Sequence, residues 1–152
     1  MKLLCDSNVF LALMLGTHPH HALAVRWMEA LPVGATAHFC RATQQAYLRL
    51  LTVEPMLKAE VRSNEEALEA WKKLRTDSRV GFVAHEPEGL EARWFELAQH
   101  CAPAPKRWMD AYLAAFAISA KMRFVTFDGG FAQFVPAGLD LVLLREKPRE
   151  EA

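Results

Sequence analysis

Short apolar runs alternate along the chain with longer segments whose apolar residues recur at helical spacing. Runs of this length, bounded by polar or turn-forming residues, are typical of strands buried on both faces of a sheet. The predicted strands are Leu3 to Asp6, Ala35 to Phe39, Arg79 to Ala84, Phe124 to Phe127 and Leu141 to Leu144.

The intervening segments predict helices with one apolar face each. The predicted helices are Val9 to Leu15, a segment between Pro19 and Pro32, a helix capped by Thr43 and running to Thr52, a helix opened by a capping box at Ser63 to Glu66, Glu88 to His100, and the helix that carries Asp110. Strands that alternate with helices form parallel β–α units. We therefore predict an α/β fold, with a central parallel β-sheet flanked by helices on both faces.

Length and composition bound this picture. A chain of 152 residues with 52% hydrophobic and 24% charged residues fits one globular domain. We assign residues 1–145 to that domain and residues 146–152 to a polar C-terminal tail. Lysine plus arginine and aspartate plus glutamate each number 18. This balance excludes a strongly basic nucleic-acid binder, so any contact with nucleic acid must be a local patch or transient.

The sequence also predicts a location. No apolar run reaches the roughly 18 residues that suggest a membrane span. The three cysteines, Cys5, Cys40 and Cys101, are widely spaced and form no C-x-x-C pair. These features predict a cytoplasmic protein without membrane association.

Three aspartates stand where an ordinary domain would place apolar residues. Asp6 and Asp128 close predicted strands, and Asp110 interrupts a long apolar helix. In an open parallel sheet, functional residues gather at the carboxyl ends of the strands, so the three carboxylates are expected to meet there. Carboxylates within about 4 Å repel by about 1 kcal/mol per pair in water and by about 4 kcal/mol at an effective dielectric near 20. Mg²⁺ or Mn²⁺ would relieve this repulsion and would activate water for hydrolysis.

Each aspartate also has an ordinary structural interpretation. Asp6 could be a helix N-cap, and Asp128, which precedes Gly129-Gly130, could be a turn residue. Asp110 could pair with Lys106, one helical turn earlier.

Several segments carry a family resemblance. They are residues 3–10, the stretch from His18 to Trp27, Cys40 to Gln44, residues 110–117, and Phe124 to Asp128 with Phe131. In order and separation they resemble the PIN domain, and most closely the VapC-type toxins of bacterial toxin–antitoxin pairs. The resemblance spans about residues 1–145.

This resemblance implies a metal-dependent ribonuclease in which Asp6, Asp110 and Asp128 bind Mg²⁺ or Mn²⁺. It also implies a homodimer and a cognate antitoxin that blocks the site. One position departs from the family pattern, which usually places a glutamate at the start of the helix after the second strand. Here Thr43 is followed by Gln44, whose amide carries no negative charge. Our hypothesis is that Gln44 orients a metal-bound water; the alternative is a plain first-turn helix residue.

Further polar residues are candidates for contacts around the site. Asn8, together with Ser7, could steady the Asp6 carboxylate by hydrogen bonds. Lys106 and Arg107 lie at the start of the Asp110 helix, where cations oppose the helix dipole, and this conflict favours a role facing RNA phosphate. Arg41 and Arg49 could extend a basic rim. Alternatively, Lys106 and Arg107 are a solvated pair or partners of Asp110.

The sequence thus predicts an endoribonuclease that cleaves RNA with a metal-activated water. Two rivals stay open. A phosphohydrolase could use Asp6 as a covalent nucleophile, although the second carboxylate expected two residues later is replaced by Asn8. A non-catalytic module on the same scaffold is the other rival, and Gln44 makes it credible. His18, His20 and His21 lack a matching cysteine or carboxylate set, which disfavours zinc.

Overall fold

A parallel sheet forms the centre of the protein, whose computed structural model describes residues 1–53 and 61–147. Its strands are β1 (Lys2–Cys5), β2 (Thr36–Cys40), β3 (Val80–Val83), β4 (Arg123–Thr126) and β5 (Leu141–Leu143). Their order is β3-β2-β1-β4-β5, and every pairing is parallel. The predicted α/β class is confirmed.

Helices connect the strands and cover the sheet. They are α1 (Ser7–Met14), α2 (His21–Glu29), α3 (Arg41–Leu51), α4 (Asn64–Leu74), α5 (Leu90–Ala98) and α6 (Pro105–Ser119). A 3₁₀ segment, Gly129–Ala137, follows β4 and was not predicted beyond its opening turn. Residues 148–152 of the predicted tail lie outside the described part of the chain.

The start of α3 differs from the prediction. The sequence suggested Thr43 as the cap, but the helix begins at Arg41, and Cys40 is the N-cap residue. The hydroxyl of Thr43 accepts a hydrogen bond from the backbone N–H of Cys40 at 2.9 Å. Thr43 therefore stabilises the first turn from inside the helix, and the helix starts three residues earlier than expected.

The capping box predicted at the start of α4 forms on one side. The Ser63 hydroxyl accepts from the backbone N–H of Glu66 at 3.1 Å. Glu65 and Glu66 lie in the first turn, and Lys72 and Lys73 lie in the last, an arrangement that complements the helix dipole.

Two apolar clusters pack on the two faces of the sheet. Successive strand residues point to opposite faces. Leu3 and Cys5 of β1 therefore join one cluster, which includes residues of α1, α2, α3 and α4. Leu4 joins the other, which includes residues of α5, α6 and the 3₁₀ segment. Helices on both faces leave the strand ends as the accessible edges of the sheet.

One glycine allows a close contact within the sheet. His38 of β2 pairs in register with Gly81 of β3, and His38 is 7% exposed. A Cβ atom at position 81 would lie 2.3 Å from Nε2 of His38. The imidazole thus occupies the space that a side chain would need. Its Nδ1–H donates to the carbonyl of Thr36 at 3.1 Å.

Within the described ranges, no helix is long and apolar enough to cross a membrane.

Candidate metal centre

The candidate site lies where the strand order of the sheet reverses. The strand β1 pairs with β2 on one side and with β4 on the other. Crevices at such switch points, outside the carboxyl ends of the strands, are the usual ligand sites of open α/β sheets. Asp6 directly follows β1, and its backbone N–H donates to the carbonyl of Val125 in β4 at 2.9 Å. This bond fixes the end of β1 against its neighbour.

A buried threonine joins the two strand-end aspartates. The hydroxyl of Thr126 donates to Oδ2 of Asp6 at 2.9 Å and accepts from the backbone N–H of Asp128 at 3.0 Å. Thr126 is fully buried. The Ser7 hydroxyl lies 3.4 Å from the other Asp6 oxygen, Oδ1. Sequence reasoning missed Thr126, although a hydroxyl at the end of an apolar strand, two residues before an aspartate, was an available signal.

Asp110 enters from α6, and a lysine links it to Asp128. Pro105 opens this helix, so Lys106 lies in its first turn and Asp110 one turn later. The Nζ atom of Lys106 lies 2.8 Å from Oδ2 of Asp128 and 3.4 Å from Oδ2 of Asp110. The pairing of Lys106 with Asp110 that the sequence left open is therefore present. It does not remove Asp110 from the site, because the same ammonium also contacts Asp128.

The three aspartates line one cleft of about 350 Å³. Its walls come from the start of α1, one face of α3, the first turns of α6 and the segment after β4. The lining residues are Asp6, Ser7, Asn8, Ala42, Thr43, Ala46, Arg49, Leu50, Lys106, Met109, Asp110, Leu113, Asp128 and Phe131.

Of the two structural roles predicted for the strand-end aspartates, the turn role of Asp128 is present, whereas the capping bond of Asp6 is not. Asp6 occupies the N-cap position of α1, but its side chain makes no capping hydrogen bond. Its carboxylate faces Thr126 and Ser7 instead. Asp128 does act as a turn residue, since its Oδ1 accepts from the backbone N–H of Gly130 at 2.8 Å. Its second oxygen, Oδ2, contacts Lys106. Turn formation therefore uses only half of this carboxylate.

The three acids of the cleft differ in the direction in which their pKa values are shifted. Burial raises the pKa of Asp6, while hydrogen bonds from Thr126 and Ser7 oppose that rise and the charge of Asp110 adds to it. Burial also raises the pKa of Asp110, against the nearby charge of Lys106. The hydrogen bond from Lys106 lowers the pKa of Asp128. Mutual repulsion between acids thus contributes at both Asp6 and Asp110.

The donor set suits a hard divalent cation, although the carboxylates do not form a finished cage. Three carboxylates that line one cleft offer the oxygen ligands that Mg²⁺ and Mn²⁺ prefer. Among the described residues, however, no three histidine, cysteine, aspartate or glutamate side chains are arranged to hold an ion. Two of the three acids are paired with Lys106 instead. A metal held by all three acids would therefore have to displace this ammonium.

The helix α3 contributes no fourth acid to the cleft. The side that lines it carries Ala42, Thr43, Ala46, Arg49 and Leu50. Gln44 is not among the lining residues; its amide oxygen accepts a hydrogen bond from the Arg41 guanidinium. The structure thus does not bring Gln44 to the three aspartates. Positions 42 and 46 of α3 face the cleft, and both are alanine.

The predicted substrate contacts divide into two groups. Asn8 and Lys106 line the cleft. Arg41 stacks over the ring of Phe82 at 4.7 Å. Arg107 donates to the carbonyl of Leu97 at 3.0 Å and also bonds Gln133. The structure therefore places Arg41 and Arg107 in packing contacts outside the cleft. Arg49, whose role the sequence left open, lines the cleft.

A larger groove of about 640 Å³ lies elsewhere, between residues 98–104 and Trp108. Its titratable residues are His100 and Cys101, both exposed. It holds no cluster of acids, so we assign the chemistry to the smaller cleft.

Comparison with known proteins agrees with this geometry. The PIN domain family model matches residues 3–135. Ribonuclease VapC41 of Mycobacterium tuberculosis is 45% identical over 145 residues, which cover 93% of this chain and 98% of that protein. Two solved structures share the fold. VapBC2 from Rickettsia felis, bound to a promoter DNA fragment, has a TM-score of 0.66 at 15% identity and covers 95% of this chain and 100% of its own. Mycobacterium tuberculosis VapC20, described as a sarcin-ricin loop cleaving toxin, has a TM-score of 0.64 at 20% identity, with coverage of 95% and 99%.

Proposed function

The chain belongs to the PIN-domain family, and on that premise we propose that it is a Mg²⁺- or Mn²⁺-dependent endoribonuclease, the toxin of a toxin–antitoxin pair. The observation that carries the proposal is the convergence of Asp6, Asp110 and Asp128 on one cleft at the switch point of the sheet. The 45% identity to a protein named as a ribonuclease supports the substrate class.

The three aspartates would hold the metal. When bound, a divalent cation supplies a water of lowered pKa and orients it for attack on phosphorus. The protein's own contribution is to fix the acids. The Thr126 hydroxyl holds Oδ2 of Asp6 and the backbone of Asp128, while the Gly130 N–H holds Oδ1 of Asp128. Two of the three carboxylates are thereby oriented before a metal arrives.

Two cations of the cleft would receive an RNA phosphate. Lys106 and Arg49 both line the cleft, one from α6 and the other from α3. Lys106 is exposed, and its ammonium forms ion pairs with Asp110 and Asp128. A metal held by these acids would release the ammonium toward the incoming phosphate. A chain of zero net charge needs a local basic patch to contact RNA, and these two cations would supply one.

Cleavage of purified bulk RNA in the presence of Mn²⁺ tests the proposal. We expect the wild-type protein to cut RNA internally and Asp6→Asn and Asp110→Asn to lose the activity. Asp140→Asn is a matched control. Asp140 is an exposed acid that pairs with Arg123 at 2.9 Å, and both residues stand at the opposite, amino end of the sheet. Equal cleavage by the wild type and all three variants would refute the assignment.

The two rival functions predict other results. A non-catalytic module is favoured by the Lys106 pairs, which leave the acids partly satisfied without a metal. It predicts no Mn²⁺ binding at millimolar concentrations and no cleavage. A phosphohydrolase predicts a trappable phosphoaspartate at Asp6. A bond from the Thr126 hydroxyl to the Asp6 carboxylate makes that carboxylate a weaker nucleophile, which counts against this rival.

The proposed partners and compartment follow from the same family. We propose a cognate antitoxin that covers the cleft, a homodimer, and a cytoplasmic location. The solved VapBC2 structure contains both members of its pair, which supports the first of these. Two exposed apolar side chains near the amino end of α6, Trp108 and Met109, offer a surface for protein contacts.

The three thiols are free, as expected in a reducing compartment. Sedimentation of the purified chain measures its oligomeric state.

A further inference from the structure

We propose that the rings of His18, His20 and Phe127 form a stacking subsite for one nucleobase of single-stranded RNA, next to the carboxylates. The inference rests on the proposed ribonuclease function and adds a contact that selects an unpaired base. A second cleft, of about 290 Å³, carries it. The residues that line this cleft are Asp6, Asn8, His18, His20, Thr126, Phe127 and Asp128.

The second cleft is continuous with the carboxylate cleft. Asp6, Asn8 and Asp128 line both. A nucleotide whose phosphate lies at the aspartates can therefore extend its base into the second cleft without leaving the protein surface. A phosphate and its own base are joined through one sugar, so adjacent subsites suit a single nucleotide.

The three rings form a small aromatic stack beside the carboxylates. The His20 and Phe127 rings lie 4.7 Å apart with 23° between their planes. His18 and Phe127 are 6.4 Å apart with 24° between planes. These values lie in the range of offset stacking. His20 is exposed, while His18 and Phe127 are partly buried. His18 and His20 are 5.8 Å apart and tilted by 44° to each other. The rings therefore form a stack, and its exposed member, His20, can accept another flat ring.

The three rings are held in place by the groups that position the acids. Phe127 stands between Thr126 and Asp128, which are joined by the bond from the Asp128 N–H to the Thr126 hydroxyl. Nδ1 of His18 accepts from the backbone N–H of His20 at 3.0 Å, which sets the two imidazoles relative to each other. The His21 imidazole bonds the carbonyl of Ala12 at 2.7 Å and ties this loop to α1. The rings are therefore ordered before any ligand binds.

The chemistry of the lining selects a base over a phosphate. Among the described residues, no lysine or arginine lines this cleft, and two of its lining residues are aspartates, which repel anions. Burial lowers the pKa of His18, and a neutral imidazole suits stacking. The Asn8 amide can donate to and accept from a base edge.

Fluorescence of 2-aminopurine tests the subsite without requiring cleavage. The probe is an eight-nucleotide single-stranded RNA with 2-aminopurine at one position at a time, bound to the full chain in Ca²⁺. Stacking quenches this base. We expect quenching at one position with the wild-type protein and loss of that quenching with His20→Ala and Phe127→Leu. His20→Tyr keeps a ring and should keep the quenching, whereas an acid–base role of His20 would not survive this change.

Steady-state cleavage in Mn²⁺ supplies the second measurement. Stacking on an aromatic side chain contributes a factor of about 5 to 150 in affinity. We expect His20→Ala to raise KM by about tenfold with little change in kcat, and only for RNA that has a base, not an abasic sugar, at the quenched position. The matched controls are His100→Ala and Phe95→Leu, which alter exposed residues outside both clefts.

The outcomes separate the two proposals. No quenching at any position with the wild-type protein overturns the subsite, whether or not RNA is cut. Equal effects of His20→Ala on intact and abasic RNA also overturn it. Quenching without cleavage would keep the subsite and refute the ribonuclease function.

Discussion

The ammonium of Lys106 lies 2.8 Å from the carboxylate of Asp128, although the two residues are 22 positions apart in the chain. The contact joins the first turn of α6 to the turn after β4. It places a side-chain cation where the proposed function requires a metal cation. Lys106 and a divalent metal should therefore compete for the same oxygens.

We expect Lys106→Met to tighten Mn²⁺ binding to the otherwise metal-free protein by about fivefold, since each exposed ion pair that the metal must break is worth up to about 1 kcal/mol. Titration calorimetry with Mn²⁺ alone measures the change. Lys73→Met, at an exposed position in the last turn of α4, is the control and should leave the affinity unchanged. Weaker binding by Lys106→Met would show instead that the lysine orients the acids for the metal.

A second prediction concerns a fourth carboxylate. Ala46 lines the cleft, whereas Gln44 faces Arg41. We expect Ala46→Glu to tighten Mn²⁺ binding by about tenfold, because an added charge near the site contributes between about 1 and 4 kcal/mol depending on the local dielectric. Without metal the same variant should have a lower Tm, through repulsion from the three aspartates. Gln44→Glu is the matched control and should change neither quantity. If Gln44→Glu proved the stronger binder, α3 would present a different face to the site.

The raised pKa of Asp6 predicts how stability depends on pH. A folded-state pKa above the unfolded value means that the folded protein binds the proton more tightly. The contribution of Asp6 is therefore fully present below its unfolded pKa and is lost as pH rises through the folded pKa. Asparagine does not titrate, so Asp6→Asn should be more stable than the wild type at pH 7 and should show a higher Tm.

Thermal unfolding in EDTA from pH 4 to pH 8 measures this difference, which should shrink toward acid pH. Asp77→Asn is a control of opposite sign, because hydrogen bonds from Arg79 lower the pKa of Asp77. That variant should lose a small amount of stability at neutral pH and match the wild type in acid. Adding Mn²⁺ should stabilise the wild type and leave Asp6→Asn nearly unchanged. A neutral-pH Tm for Asp6→Asn below that of the wild type in EDTA would contradict the prediction.

The contact of His38 with Gly81 gives a prediction about the sheet. We expect Gly81→Ala to destabilise the protein by about 1–3 kcal/mol, because a Cβ at that position would lie 2.3 Å from Nε2 of His38 in a packed interior. Urea unfolding measures the loss. The double variant His38→Ala/Gly81→Ala removes the clash, so the two effects should not add. Additive losses would mean that the imidazole moves away without a penalty.

Much of the fold follows from local patterns, because the spacing of apolar residues over a short stretch predicts strands and helices. The same patterns place Asp6 and Asp128 at strand ends, and the rules of parallel sheets bring those ends together. Thr126 could not be assigned this way. Its bond to Asp6 depends on the register of β1 against β4, which joins residues 120 positions apart.

The misplacement of Gln44 has a local cause. A helix turns by about 100° per residue, so an error of three residues at its start changes which side chains face the sheet. The sequence offered Thr43 as a conventional cap, whereas Cys40 holds that position and Thr43 supports it from within the helix. The packing role of Arg107 could not be predicted from the sequence either, because its partners Leu97 and Gln133 belong to other elements.

The separation of β1 from β4 also has a consequence for synthesis. Asp6 lies near the start of the chain, and its partner Thr126 lies 120 positions later. A ribosome that adds about 5–20 residues per second needs on the order of ten seconds to cover that distance. During this interval the emerging chain has its first strand but not the strand that completes the carboxylate cleft. The carboxylate cleft therefore cannot form until the ribosome has added β4.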